Sequence, residues 1–254
     1  MVTTWDVTIP ELTKDETRKA YLYLPESYAY EENARYPVLY MFDGHNVFFD
    51  SHATYGKSWG MKEYMDQTKT PLIIAAVECN HSPDNGRLEE YSPFDFSDPA
   101  FGFVKGRGRT TMEWMVHSFK RDIDSHFRTL PGREYTFIAG SSMGGLMSLY
   151  AALEYNHIFS RAAALSPSIS LVSDEIERFI NESEPEPDTV IYMDYGSEEM
   201  DTHQGMPQCF SRVASLLINK PVMLESRVIP GGTHCEASWE RQIPFFMNTL
   251  LYRF

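Results

Sequence analysis

Only three cysteines, Cys79, Cys209 and Cys235, occur in 254 residues, too few and too scattered for a disulfide framework, and no C-x-x-C pair exists for zinc. A reduced compartment is the simpler reading. Basic charge is equally scarce: 22 Lys and Arg stand against 36 Asp and Glu, for a formal net charge of −14. Nucleic-acid recognition needs a basic surface to neutralise phosphates, so that class of partner is excluded, and anionic membrane surfaces are disfavoured for the same reason. No apolar run approaches the length that spans a bilayer. The N-terminal stretch MVTTWDVTIPELTKDE carries neither the basic nor the apolar segment of a secretory signal, so cytoplasmic residence is expected. No G-x-x-x-x-G-K-[ST] or G-x-G-x-x-G pattern is present, which removes the common phosphate-cradling loops.

What is present is an ordinary globular composition, 43% hydrophobic and 23% charged, in a chain long enough to bury a sizeable core. No internal repeat or linker divides it, so residues 1–254 are read as a single domain.

Arg133 to Tyr150, REYTFIAGSSMGGLMSLY, is the stretch with the clearest chemistry. A short apolar strand runs into Gly140-Ser141-Ser142-Met143-Gly144 and then into good helix formers. Such a strand-to-helix reversal through G-x-S-x-G is a nucleophile elbow, in which small residues let the backbone turn sharply and hold one hydroxyl clear of the sheet. The hydroxyl so placed is that of Ser142.

The remainder reads as strands alternating with helices. Thr3 to Leu24 alternates apolar and polar residues through a polar turn, which predicts two antiparallel strands. PVLYMF from Pro37 and LIIAAV (Leu72 to Val77) are continuous apolar runs of the fully buried kind. Further strands are predicted over Phe159 to Leu165, Thr189 to Tyr195 and Val222 to Ile229. Helical spacing marks Lys57 to Thr68, a segment after an N-cap at Thr110 or Thr111, Asp174 to Ile180, Gln208 to Ile218, and Ala237 to Leu251, interrupted by Pro244. Glu78 to Arg109 is long and irregular, a place for substrate contacts. This alternation predicts an α/β fold with a mostly parallel sheet covered on both faces.

A serine hydroxyl is a weak nucleophile until a base takes its proton and an acid orients that base. On an elbow scaffold the partners follow on loops after later strands, acid first and histidine last. His234, in Gly231-Gly232-Thr233-His234 after the final strand, meets the requirement for the base. The loop after TVIYMDY offers Glu199, favoured for standing a few residues past the turn glycine Gly196, with Asp201, Glu198 and Asp194 as alternatives. Two backbone N–H groups must face the developing oxyanion. One is that of Met143; the other comes from Gly44, His45 or Asn46, with His45 the choice. Trp59, Tyr91, Phe94, Met206 and Trp239 are candidates to line an apolar pocket, although each also fits ordinary packing.

PVLYMFDGHNVF, RLEEYSP (Arg87 to Pro93), SHFRTLPGREYTFIAGSSMGGLMSLYAAL, FSRAAALSPS and GGTHCEASW together resemble the putative esterase family of α/β hydrolases, the group that includes esterase D, feruloyl and enterochelin esterases. The resemblance runs from about Arg18 to the C-terminus. It implies an α/β-hydrolase fold, a mostly parallel central sheet with antiparallel N-terminal strands and helices on both faces. It also implies a Ser-Asp/Glu-His serine hydrolase that uses no metal or organic cofactor. Carried over residue by residue, it places the nucleophile at Ser142, the base at His234 and the acid at Glu199, the fourth residue of GSEE. Many relatives have Asp there, so the longer Glu is expected to sit slightly further back. The family often has DGQN where this chain has Asp43-Gly44-His45-Asn46, so His45 is expected to alter the pocket rim. The expectation is a serine carboxylesterase acting on a small or aromatic acyl ester through an acyl-enzyme. An acyltransferase with the same triad and an alcohol acceptor is the alternative, and a non-catalytic binding protein on this scaffold a remote one. The partner is then a small-molecule ester, and the oligomeric state, a homo-oligomer included, is left open.

Overall fold

In a computed structural model of the chain, residues 1–199 and 205–252 are described. Strand β1 (Val2–Thr8) passes through a short helix, α1 (Pro10–Thr13), to β2 (Thr17–Tyr23), and the two strands pair antiparallel with Val2 opposite Tyr23. Then follow β3 (Val38–Met41), α2 (Met61–Thr68), β4 (Ile73–Val77), α3 (Gly86–Glu90), β5 (Phe96–Asp98) and β6 (Gly102–Val104). A long helix comes next: α4 (Gly108–Trp114), a π-helical stretch (Met115–Lys120) and α5 (Arg121–His126). The second half alternates regularly: β7 (Thr136–Ser141), α6 (Met143–Glu154), β8 (Arg161–Leu165), α7 (Ser173–Glu182), β9 (Val190–Gly196), α8 (Met206–Ile218), β10 (Met223–Ile229), α9 (Glu236–Glu240) and α10 (Ile243–Leu250).

Eight strands form one sheet in the order β1-β2-β4-β3-β7-β8-β9-β10, antiparallel at β1–β2 and β2–β4 and parallel from β4 to β10. The central strands are apolar on both sides. In β3, Tyr40 joins one buried cluster with Ile138, Ala162, Ile191 and Leu149 of α6, whereas Leu39 and Met41 join the other with Phe137, Ala163, Met65 of α2 and Phe246 of α10. Period-two alternation between two apolar layers is why these strands read as continuous hydrophobic runs, and each fully buried side chain contributes about 1.5–3 kcal/mol. Helix α6 is buried from Met143 to Leu153, as expected of a helix apolar all round.

Two local expectations are corrected. The helix after the irregular segment starts at Gly108 rather than at a threonine cap. Thr111 Oγ1 instead donates to the Glu90 carbonyl at 2.6 Å, so the hydroxyl ties α4 to α3. The stretch from Glu78 to Arg109 is not wholly irregular, since it holds α3 and the β5–β6 hairpin. Among the described residues no helix is long and apolar enough to cross a membrane.

Register places the functional loops together. Ser141, Leu165 and Asp194 stand level on three adjacent strands. The loops that follow β3, β4, β7, β8, β9 and β10 therefore leave the sheet at one edge, its carboxyl edge, where open α/β sheets bind their ligands.

Candidate active site

The turn from β7 into α6 puts Ser142 at φ 57°, ψ −123°, a conformation that costs a non-glycine residue about 1–3 kcal/mol and persists only where its surroundings enforce it. The surroundings are backbone. Ser142 N–H donates to the Leu165 carbonyl at 2.9 Å, and the Ser142 carbonyl accepts from Ser168 and Leu146, both at 3.0 Å. Gly140 is required because a Cβ there would stand 2.6 Å from the carbonyl of Gly144. The Ser142 hydroxyl shares a 3.2 Å hydrogen bond with Ser168 Oγ.

The loops after β9 and β10 meet through a second glycine contact. A Cβ on Gly196 would stand 2.2 Å from the Gly232 carbonyl, so only glycine allows the turn after β9 to lie against the turn after β10. Across that contact His234 Nδ1 lies 2.9 Å from Glu199 Oε2. The other oxygen, Oε1, accepts from Ser166 Oγ at 2.7 Å and from the Gly196 amide at 2.9 Å. Ser166 Oγ in turn accepts from Trp239 Nε1 at 2.9 Å, and the indole stands edge-on to the His234 ring at 5.1 Å. Burial pushes the Glu199 carboxyl up, but the donors from His234, Ser166 and Gly196 outweigh it and hold the group below the ordinary carboxylate value.

The other candidate acids that are described make different contacts. Asp194 accepts from the Tyr192 hydroxyl at 2.6 Å and the Ser166 amide at 3.2 Å, and burial pushes its carboxyl up to about 7. The Glu198 amide donates to the Gly232 carbonyl, and its side chain is exposed. Asp201 lies outside the described residues.

The loop after β3 runs beside the elbow. Asp43 takes the left-handed conformation, φ 55°, and a 3-10 turn over Gly44–Asn46 follows. The Asp43 amide donates to Tyr91 Oη, the Asn46 amide to the Asp43 carbonyl and the Val47 amide to the Gly44 carbonyl. The Asn46 amide is thereby engaged within the turn, and Met143 stands at the first turn of α6. Arg87 Nε and Nη2 clamp the Asp43 carboxylate at 2.8 and 2.6 Å. Burial pushes that carboxyl up, and the Arg87 guanidinium overcomes it and holds it below its usual range. Arg87 is carried by α3, which Arg18 anchors to the main sheet through a bidentate 2.6 Å pair with Glu90.

A cavity of about 490 Å³ is lined by Ser142, His234, His45, Asp43, Arg87 and Cys79, among others. Of the five residues expected to form an apolar pocket, Trp239 lines it. Trp59 packs on Trp239 and Phe246, Phe94 on Tyr150 and Phe179, and Tyr91 and Met206 are core residues. The wall is consequently polar rather than apolar. Ser166, Ser168 and Arg87 are the site residues the sequence did not single out for a role, because their contacts join segments 26 to 44 positions apart.

The family model described as "Putative esterase" matches residues 13–245. The chain is 26% identical over 190 residues to the "Uncharacterized protein YbbA" of Bacillus subtilis (strain 168), a match covering 73% of this chain and 70% of that protein. Among solved structures, a ferulic acid esterase superposes with a TM-score of 0.76 at 18% identity, over 100% of this chain and 98% of that one. An IroE-like serine hydrolase from Shewanella oneidensis gives 0.72 at 18% identity, over 98% and 79%.

Proposed function

This chain belongs to the "Putative esterase" family, has the α/β-hydrolase fold and is a carboxylic ester hydrolase, and from that premise we propose that Ser142, Glu199 and His234 form its catalytic triad. The observation that carries the reading is the 2.9 Å contact between His234 and the buried Glu199, on the cavity that also holds the strained Ser142. With Nδ1–H donated to Glu199, the imidazole presents Nε2 as a lone pair. Binding of an ester turns the Ser142 hydroxyl from Ser168 toward that nitrogen. Ser142 Oγ attacks the carbonyl carbon as its proton passes to Nε2, and the oxyanion is held by the amides of Met143 and His45 at the positive end of α6. His234 then protonates the leaving alkoxide. Water repeats the sequence on the acyl-enzyme and releases the acid.

The substrate we assign is a small or aromatic acyl ester of a polar alcohol. A cavity of about 490 Å³ has room for an aromatic acyl group, and its polar wall favours a hydroxylated leaving group over a lipid chain. A cytoplasmic setting accords with three free cysteines, two of them buried. Hydrolysis of p-nitrophenyl acetate by the purified protein, lost in Ser142→Ala together with labelling by a fluorophosphonate probe, is the expected result. Unchanged turnover in that variant would exclude Ser142 as nucleophile.

A further inference from the structure

The loops after β3 and β4 bring together His45, Cys79 and His81, each offering one ligand atom within 4.8 Å of the other two. All three line the cavity beside Ser142. We propose that these side chains form a binding site for a thiophilic divalent cation of the Zn²⁺ type, with a fourth position open to the cavity.

His45 is the strongest indication. It is 5% exposed; its Nε2 lies 3.0 Å from Thr54 Oγ1, and its Nδ1 is buried without a hydrogen-bond partner. Buried polar atoms are ordinarily satisfied, and an orphaned one costs about 1–3 kcal/mol. Donation of Nε2–H to the Thr54 hydroxyl leaves Nδ1 as a lone pair. That is how a protein fixes the tautomer and ring orientation of a ligating histidine. The buried Cys79 thiol, which lines the same cavity as Asp43, supplies a soft sulfur. His81, two residues further along, is exposed, and its ring stands edge-on to that of His45 at 4.7 Å.

Tetrahedral zinc with bonds of about 2.3 Å to sulfur and about 2.0 Å to nitrogen needs ligand atoms about 3.3–3.6 Å apart. Closing the trio onto an ion thus takes about an ångström of movement, which the solvent-exposed His81 can supply. On binding, the Cys79 S–H bond breaks, a sulfur–metal bond forms and the proton leaves to solvent, with no change of oxidation state. Asp43 keeps both contacts to Arg87. Two imidazoles, one thiolate and an open position make a donor set suited to zinc.

The site is independent of the esterase reading, because its test needs no turnover. The intact metal-free protein is titrated with Co²⁺ as a spectroscopic stand-in for Zn²⁺. One equivalent is expected to bind with a thiolate-to-cobalt charge-transfer band and the visible bands of tetrahedral coordination, all displaced by Zn²⁺. Cys79→Ser removes the charge-transfer band. His81→Ala, at an exposed position that spares the fold, weakens binding at least about tenfold. Cys235→Ser leaves the spectrum unchanged. Absence of the thiolate band in the wild type, its persistence in Cys79→Ser, an unaltered affinity in His81→Ala, or its loss in Cys235→Ser would overturn the proposal.

Discussion

Replacing Glu199 by glutamine tests the triad at the contact that carries it, and the hydrogen bonds dictate the outcome. Oε1 accepts two donors, Ser166 Oγ–H and Gly196 N–H, so the glutamine carbonyl oxygen must take that position. Its NH₂ then occupies the place of Oε2, 2.9 Å from His234 Nδ1. Two donors cannot face each other, so the imidazole must turn Nδ1 into the acceptor and carry its proton on Nε2, the nitrogen that has to accept from Ser142. The position is 1% exposed, so water cannot substitute for the lost acceptor. In Ser-His-Asp hydrolases the equivalent carboxylate-to-amide change lowers kcat by about 10⁴, equivalent to about 5.5 kcal/mol of transition-state stabilisation. A loss of about 10³ to 10⁴ in kcat on p-nitrophenyl acetate is expected for Glu199→Gln, with KM changed by less than about threefold because no ester contact is removed. Fold retention is checked by thermal unfolding. A kcat within about tenfold of the wild type would refute the reasoning, and loss confined to Asp201→Asn would move the acid to that residue.

Arg87→Met leaves the Asp43 carboxylate buried without its counter-ion, and urea unfolding should report a loss of about 2–3 kcal/mol. That is below the about 3–5 kcal/mol of a fully buried broken pair, because the Arg87 side chain is 30% exposed and partly screened. The companion Arg87→Met, Asp43→Asn double variant should recover much of the stability, and equal losses in single and double variants would show that the charge is not the cause. Asp194→Asn tests burial: the Asp194 carboxyl is pushed up to about 7 from 3.8, so the native state holds a proton that the unfolded chain releases. Its contribution is neutral below about pH 4 and increasingly destabilising up to about pH 7, at no more than about 1.4 kcal/mol per pH unit. The stability of Asp194→Asn relative to the wild type should accordingly rise across that window, and a flat difference would count against a protonated Asp194.

Where a feature is local, the residues announce it. GSSMGG between an apolar strand and a helical run specifies the elbow, because the turn itself needs small residues at fixed offsets, as where Gly140 meets Gly144. The place of Glu199, the acid proposed above, follows from a related local feature. Gly196 both ends β9 and makes the close contact with Gly232, so the position three residues beyond it falls beside the histidine loop. Elements set by distant partners were not legible. Thr111 looks like a helix cap and instead bonds Glu90, and Trp59 looks like a pocket wall and instead packs on Trp239. Ser166 sits in an ordinary Ser-Pro-Ser turn, and nothing near it in sequence announces that it joins Glu199 to Trp239.

The Ser166 relay supports the proposed role of a glutamate at a position where the family resemblance implies aspartate in many members. The extra methylene would let the carboxylate wander, and a buried charge that wanders loses both its solvation and its aim. Here the Gly196 amide, three residues earlier, draws Oε1 back over the end of β9, while Ser166 from the neighbouring strand closes on the same oxygen. With one oxygen fixed from two directions, the other has a single direction left, toward His234. The indole of Trp239 completes the restraint, because it donates to Ser166 and also packs edge-on against the imidazole. Ser166 after β8, Glu199, His234 and Trp239 of α9 thus form one closed circuit, of three hydrogen bonds and one edge-on ring contact, that holds the acid proposed at position 199.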